Sequence, residues 1–328
     1  MPPVLETVGL SKSFELRMGI GKRPRRVHAV SDVSLALMPG QTLGIVGESG
    51  CGKSTTARLI MGLMPPDSGD ILLDGKAVGS STAAMRAFRR NVQMVFQDSS
   101  ASLNPRLTLE QSVAFGPQVH GLPARDAIAR ARDLLARVGL DPARFAGRYP
   151  HEVSGGQRQR VNIARALALQ PRVVIFDEAV SALDKSVEAQ VLNLMADLKA
   201  EFALSYIFIS HDLNVVRHVS DEVVVMYLGQ VIERAPAADL YTAPAHPYTR
   251  ALLASMPSHD PDRRTTTPPL TGDPPSPIDL PPGCRFAPRC PLVADVCRAR
   301  APALLAKGGH ACACHLADPD SGHPGVAE

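Results

Sequence analysis

The segment GESGCGKST, Gly47 to Thr55, sets Gly47, Gly52, Lys53 and Ser54 at the spacing G-x-x-x-x-G-K-[ST], directly after the apolar stretch Leu43 to Val46. Small residues at Gly47, Gly50 and Gly52 let the backbone turn tightly and aim successive N–H groups inward. A helix N-terminus behind them adds its positive end, so the loop is a nest for phosphate. Lys53 is placed to reach the β- and γ-phosphates as a point charge, Ser54 to offer its hydroxyl to Mg²⁺, and Thr55 to meet an α-phosphate. Ser49 and Cys51 lie in the same cradle. Cys51 reads as a small residue fitting a tight loop rather than as a redox thiol.

The apolar run Val173 to Phe176 reads as a buried parallel strand, and Asp177 and Glu178 emerge where it ends. Ligands of open α/β sheets bind at that carboxyl edge. Asp177 suits the Mg²⁺ shell as a hard oxygen ligand, and Glu178 is placed to polarise an attacking water. On their own, two adjacent carboxylates would read as a solvated turn; the phosphate loop upstream argues against that. A second strand, Tyr206 to Ile209, delivers Ser210-His211-Asp212 to the same edge, where His211 can donate a hydrogen bond to a γ-phosphate. Gln97, just after the apolar run Met94 to Phe96, completes the polar ring and is a further candidate Mg²⁺ ligand.

The elements that position these groups are legible in outline. Val4 to Leu37 reads as strands interrupted by the basic stretch Gly21 to Arg26, a solvated loop. Lys53 to Met64 reads as a helix stopped by Pro65-Pro66, and Asp70 to Val78 as a hairpin turning at Asp74-Gly75. Helical periodicity dominates Arg106 to Leu169: Ala127, Ala131, Leu134 and Leu135 share a face, and Gly139 ends that helix. Val187 to Phe202 is another helix, and Val223 to Val231 alternates like a strand around a turn at Gly229.

Taken in order, the phosphate loop, Gln97, VSGGQ at Val153 to Gln157, Asp177-Glu178, Ser181-Ala182-Leu183-Asp184 and His211 resemble the ATP-binding subunits of ABC transporters. The resemblance implies an α/β fold: an ABC-type P-loop ATPase domain with a RecA-like core, an antiparallel β subdomain and a helical subdomain at about 106–169. It implies that Ser154, Gly155, Gly156 and Gln157, at a helix N-terminus, bind the γ-phosphate of ATP held by a partner subunit, and it places Asp184 among the nucleotide-binding residues. Free N–H groups and the helix dipole favour an anion there. It also implies that Phe14 stacks on adenine; the other reading of Phe14 is a core aromatic. The sequence departs from the usual pattern at Val153, where Leu is common, at Ala179, where Pro is common, and at Lys185, which puts a charge near the expected dimer seam.

QDSSASLNPR at Gln97 to Arg106, HPYT at His246 to Thr249 and PPGCRFAPRC at Pro281 to Cys290 narrow the resemblance to dipeptide, oligopeptide and nickel permease ATP-binding subunits, over about Leu5 to Cys314. The implied function is ATP hydrolysis that powers import of di- or oligopeptides. The implied partners are two transmembrane permease subunits, a second ATP-binding subunit, identical or homologous, and indirectly an extracytoplasmic binding protein. The implied location is peripheral, on the cytoplasmic side of the inner membrane. Import of nickel or another small solute is the nearest alternative; a metal-cluster redox sensor regulating the transporter, and a soluble ABC ATPase of translation or DNA repair, are the alternatives of other classes.

Composition agrees with a cytosolic motor. A chain of 328 residues suits about two domains and can bury about 75% of its unfolded surface. A net charge of +3, aromatic content of 4% and no Trp give no basic footprint and little to stack on exposed bases. No apolar run is long enough to span a membrane, and Met1 to Leu10 lacks a signal-peptide pattern.

The expected domain boundary follows residue 256, giving an ATPase domain over 1–256 and a Pro/Cys-rich C-terminal domain over 257–328. Prolines at 261, 268, 269, 274, 275, 277, 281 and 282 forbid long helices and sheet ladders, which predicts an extended wrap. Five of the six cysteines follow: Cys284, Cys290, Cys297, Cys312 and Cys314. In a reducing compartment this clustering favours metal over disulfide. The spacing C-x5-C-x6-C-x16-C is wider than common zinc pairs; a [4Fe–4S] cluster, Zn²⁺ and reduced structural thiols all remain open. Arg285, Arg289, Arg298 and Arg300 could offset a cluster's negative charge. The family resemblance favours the cluster, with Cys314 as fourth ligand and Cys312, His310 and His315 in reserve.

Overall fold

The computed structural model describes residues 2–16, 24–99, 101–256, 272 and 275–326. The strands are β1 (Leu5–Leu16), β2 (Arg25–Leu37), β3 (Thr42–Val46), β4 (Ser68–Leu73), β5 (Lys76–Ala77), β6 (Val92–Val95), β7 (Val173–Asp177), β8 (Ser205–Ile209), β9 (Glu222–Tyr227), β10 (Gln230–Pro236), β11 (Leu305–Lys307) and β12 (His310–Cys312). The α-helices are α1 (Lys53–Ile60), α2 (Thr82–Asn91), α3 (Leu109–Val119), α4 (Ala124–Arg137), α5 (Pro142–Phe145), α6 (Gly155–Leu167), α7 (Lys185–Phe202), α8 (Leu213–Val219), α9 (Ala237–Thr242), α10 (Pro247–Ala254) and α11 (Asp295–Ala299).

Two sheets carry the fold: one of four strands in the order β2-β1-β4-β5, and one of eight in the order β11-β12-β10-β9-β3-β8-β7-β6. The first is antiparallel. In the second, β9, β3, β8, β7 and β6 run parallel, and β10, β12 and β11 extend it antiparallel. The parallel strands are covered on both faces, which is why they read as unbroken apolar runs. Along β7 and β8, Val174, Phe176, Tyr206 and Phe208 feed one core, with the helical region α3 to α6 and with α7. Val173, Ile175, Ile207 and Ile209 feed the other, against α1, β1 and β2.

Three sequence expectations shift. Helix α1 stops at Ile60 rather than near Met64. Gly62 takes φ 66; its N–H reaches the Leu59 carbonyl at 2.9 Å and the Leu63 N–H reaches the Arg58 carbonyl at 2.9 Å, the Schellman pairing that closes a helix. β9 is buried nearly throughout rather than alternating, because it lies inside the sheet. Arg25 and Arg26 belong to β2 rather than to a loop, whereas residues 21–23 of that basic stretch lie outside the described residues.

Most of the proline-rich stretch also lies outside the described residues; where it reappears, the Pro277 carbonyl accepts the His28 N–H at 3.0 Å. Beyond it, β12 pairs with β10 through Glu233↔Cys312 and Arg234↔Ala311. Phe286 is 1% exposed and belongs to the larger core. The cysteine-bearing segment is therefore built onto the edge of the main sheet.

Candidate functional site

The phosphate loop leaves β3 and enters α1. A Cβ at Gly47 would fall 2.2 Å from the Met226 carbonyl oxygen and one at Gly52 2.3 Å from that of Ala29. Both positions also have φ in the left-handed half of the map, at 149° and 106°, so only glycine fits. Lys53, 5% exposed, folds over its own loop and donates to the carbonyls of Gly47 at 2.7 Å and Glu48 at 3.0 Å. Ser49 and Gly50 are exposed at the rim, and Thr55 is half-buried in the first turn of α1. The Cys51 thiol is buried, and burial pushes its pKa up, the opposite of a reactive cysteine.

The ends of β6, β7 and β8 meet this loop. Ser54 Oγ donates to Asp177 Oδ1 at 2.8 Å. Asp177 is 4% exposed; burial pushes its carboxyl above the ordinary range, and the Ser54 hydrogen bond works against that shift. Glu178 has φ 49, a left-handed backbone that costs a non-glycine residue about 1–3 kcal/mol. Its N–H is anchored on the Ile209 carbonyl at 2.9 Å. Gln97 Nε2 donates to Glu178 Oε2 at 2.8 Å, and His211 Nδ1 lies 3.5 Å from the same oxygen. Gln97 and His211 thus converge on one carboxylate oxygen of Glu178, three positions read separately from the sequence.

The turn after Glu178 is fastened without a proline: Ala179 is buried, and Ser181 Oγ donates to the Glu178 carbonyl at 2.9 Å. Lys185 is paired within the chain, to Asp212 Oδ2 at 2.8 Å and Glu188 Oε1 at 2.9 Å. Asp184 is exposed at the N-cap of α7.

Ser154 caps α6. Its Oγ accepts the Gln157 N–H at 3.3 Å while Gln157 Oε1 accepts the Ser154 N–H at 3.0 Å, a capping box. The first-turn N–H groups of Gly155 and Gly156 have no intrahelical acceptor. A Cβ at Gly156 would meet Val187 of α7 at 2.4 Å. Among the described residues no hydrogen bond or ion pair joins Ser154–Gln157 to the phosphate loop or to the carboxylate edge. Phe14 lies on β1 opposite Val27 and is 40% exposed, so it is not a core aromatic.

Cys284, Cys290, Cys297 and Cys314 line one small cavity together with His246, Phe286 and His315. No disulfide joins them. Burial holds the thiols of Cys284, Cys290 and Cys314 above the ordinary range, Cys284 at about 11. Cys312 is buried in β12 outside that lining. His310 Nε2 is engaged by Glu233 Oε1 at 2.6 Å, and His315 Nε2 by the Arg300 carbonyl at 2.8 Å. Among the described residues no three His, Cys, Asp or Glu side chains group tightly enough to hold a single metal ion. Three of the four arginines expected to offset a cluster's charge turn elsewhere, Arg285 to the Leu228 carbonyl, Arg289 to Glu48 and Arg300 to the Ser321 carbonyl, and Arg298 is exposed. The Arg289–Glu48 pair and the Tyr248 hydroxyl that receives the Glu48 N–H have no signature in the sequence, since their partners are remote in the chain.

Comparison with known proteins agrees with this geometry. Residues 30–181 match the ABC transporter family and residues 232–297 the C-terminal region of oligopeptide/dipeptide transporters. The oligopeptide transport ATP-binding protein AppF of Bacillus subtilis is 48% identical, over 95% of this chain and 97% of the relative. OppF of Escherichia coli, also an oligopeptide transport ATP-binding protein, is 45% identical over 96% and 97%. Among solved structures, cbiO1 of Clostridium perfringens, part of the ABC transporter complex cbiONQ, superposes with TM-score 0.63 at 28% identity, over 74% of this chain and 92% of that one. The ATP-binding cassette MJ0796, in a dimeric post-hydrolysis state bound to ADP and Pi, gives 0.62 at 26%, over 71% and 98%. Among the described residues no helix is long and apolar enough to cross a membrane. With a phosphate loop, a Ser54–Asp177 pair and a Gln97–Glu178–His211 cluster on one sheet edge, and relatives of this closeness over nearly the whole chain, the protein belongs to the ABC transporter ATP-binding family, in its oligopeptide/dipeptide branch.

Proposed function

We propose that this chain hydrolyses ATP to drive import of di- or oligopeptides through a membrane-embedded permease. The observation that carries the ATPase chemistry is the convergence of Gln97 and His211 on Glu178 beside the Ser54–Asp177 pair. Lys53 and the loop N–H groups of Gly47 to Thr55 bind the phosphates, Phe14 stacks on adenine, and Ser54, Gln97 and Asp177 hold Mg²⁺. The metal supplies charge neutralisation on the phosphoryl oxygens. Glu178 accepts a hydrogen bond from the attacking water and His211 donates to the γ-phosphate. Ser154, Gly155, Gly156 and Gln157 serve the nucleotide of a second ATP-binding subunit, a division supported by the lack of any hydrogen bond or ion pair, among the described residues, between them and the chain's own phosphate loop; Asp184 is a further nucleotide-binding residue. Two such subunits sandwich ATP, close, and reopen after hydrolysis, moving two permease subunits on the cytoplasmic side of the inner membrane. Peptide cargo rests on relatives named for oligopeptide transport. The test is ATP hydrolysis by the reconstituted complex with its binding protein: stimulation by peptides supports the reading, and stimulation by nickel alone overturns the cargo.

The chain divides, in this reading, into an ATPase domain at 1–256, with the helical subdomain at about 106–169, and a C-terminal domain at 257–328. The cysteine cavity suits a [4Fe–4S] cluster better than Zn²⁺. Four thiols line one space, yet they are not gathered as tightly as ligands at about 2.3 Å from one zinc ion must be. Cys284, Cys290, Cys297 and Cys314 would hold the cluster, which supplies one-electron chemistry or a cross-link when bound. The thiols must ionise to bind it. Iron, sulfide and zinc content of anaerobically purified protein, beside Cys284→Ser and Cys314→Ser, tests this; stoichiometric zinc without iron overturns it.

A further inference from the structure

The phosphate loop is held from outside by the segment that carries the cysteines. Arg289, next to Cys290, sends Nη1 to Glu48 Oε2 at 2.8 Å and Nη2 to Glu48 Oε1 at 3.1 Å. This planar fork is largely withdrawn from water, with the two side chains 6% and 24% exposed, and a bidentate pair in that setting admits one geometry. The Tyr227 hydroxyl accepts Arg289 Nη1 at 3.4 Å, and the Glu48 N–H donates to the Tyr248 hydroxyl at 2.9 Å. Tyr227, Tyr248 and Phe286 pack as one aromatic pad with ring centroids 4.6–5.4 Å apart. Below the loop, Arg285 donates to the Leu228 carbonyl and the Gly229 N–H to the Cys51 carbonyl, the latter at 2.8 Å.

Fixing Glu48 bears directly on the phosphate site, because the Glu48 carbonyl is one of the two on which Lys53 Nζ rests. We propose that Arg289 is a positioning residue for the phosphate loop: by clamping the Glu48 carboxylate it holds the loop and Lys53 in the conformation that sets nucleotide affinity. Without the fork, Glu48 is released at the loop's first turn and leaves an unpaired carboxylate beside a site for anions. The inference rests on the reading of this loop as the nucleotide site.

The test is equilibrium Mg-ATP binding and steady-state hydrolysis by the full chain, for wild type, Lys53→Ala, Arg289→Ala, Arg289→Lys, Glu48→Ala and the Glu48→Ala/Arg289→Ala double variant, with a thermal melt of each. Arg289→Ala is expected to weaken binding and raise KM about tenfold, with kcat at saturation within about twofold of wild type. Arg289→Lys, keeping the charge without the fork, should fall between. In the Glu48→Ala background, removing Arg289 should change affinity by less than about twofold, because the two act as one unit. Unchanged affinity in a folded Arg289→Ala protein, or an undiminished loss in the Glu48→Ala background, overturns the proposal. If Arg289→Ala fails to fold, Glu48→Ala decides alone: weaker binding with an unaltered melt supports the clamp, and unchanged binding overturns it. Wild type that binds no better than Lys53→Ala would refute the nucleotide site itself, a different failure.

Discussion

Replacing Glu178 by Gln tests the carboxylate's role with little change in shape. The strained φ of 49° and the N–H anchored on Ile209 are backbone features that the substitution keeps. Gln97 Nε2, now 2.8 Å from Glu178 Oε2, can donate equally well to an amide oxygen. What disappears is the negative charge that would draw a proton from water, together with its repulsion of Asp177, one of the influences raising the Asp177 carboxyl. Stability should therefore stay within about 0.5 kcal/mol of wild type. Loss of a positioned base lowers kcat by about 10²- to 10⁴-fold, an added barrier of about 3–5 kcal/mol. Mg-ATP affinity should hold or rise, since one negative charge leaves the neighbourhood of the triphosphate. Phosphate release at saturating Mg-ATP, equilibrium nucleotide binding and urea unfolding separate the three effects. A folded variant that binds ATP and turns over within about threefold of wild type would remove Glu178 as base. Lost turnover with equally lost binding would make it a structural residue.

Three further substitutions probe how the site is held. Gly52→Ala puts a Cβ 2.3 Å from the Ala29 carbonyl at φ 106°; a loss of about 2 kcal/mol or more in urea unfolding and loss of ATP binding are expected, and a variant with wild-type stability would show that the loop has slack. Arg172→Ala removes the pair with Asp74, but both side chains are about half exposed, so the change in melting should correspond to less than about 1 kcal/mol; a larger loss would mean that the antiparallel sheet depends on this one contact. His246 is 1% exposed, and burial lowers its pKa from 6.5 to about 3. The unfolded chain then takes up this proton first, so the contribution is intact above pH 6.5 and is lost as pH falls toward 3. His246→Asn, whose Oδ1 can replace the Nδ1 that accepts the Tyr248 N–H at 3.0 Å, should flatten the pH dependence of unfolding across that window; an unchanged slope would assign the acid sensitivity to other groups.

The carboxylate edge was legible because parallel pairing turns separate sequence positions into neighbours. Val95 pairs with Phe176 and Asp177 with Ile209, so Gln97, Glu178 and His211, each one or two residues past a strand end, had to emerge together. The glycines of the phosphate loop were legible for a steric reason, since the backbones of Met226 and Ala29 leave no room for a Cβ at Gly47 and Gly52. Pro65-Pro66 marks a helix stop in the sequence, but α1 ends before it at Ile60, because Gly62 takes a left-handed φ.

What stayed illegible depends on contacts that leave no period in the sequence. The family resemblance singles out Cys284, Cys290, Cys297 and Cys314 with Cys312 in reserve, but the spacing alone does not. That those four share a cavity while Cys312 sits in β12 depends on the pairing of β12, a three-residue strand too short to show alternation, onto β10. The four arginines near those cysteines suggest counter-charges for a cluster only through proximity in sequence. In the fold, Arg289 spans 241 residues to Glu48, and Arg285 and Arg300 find backbone carbonyls instead. A charged side chain is recruited by whichever buried carboxylate or carbonyl the topology brings against it, since leaving that charge unpaired costs several kcal/mol. Only the folded chain states which one that is, and here it ties the cysteine segment to the glycine-rich loop between β3 and α1.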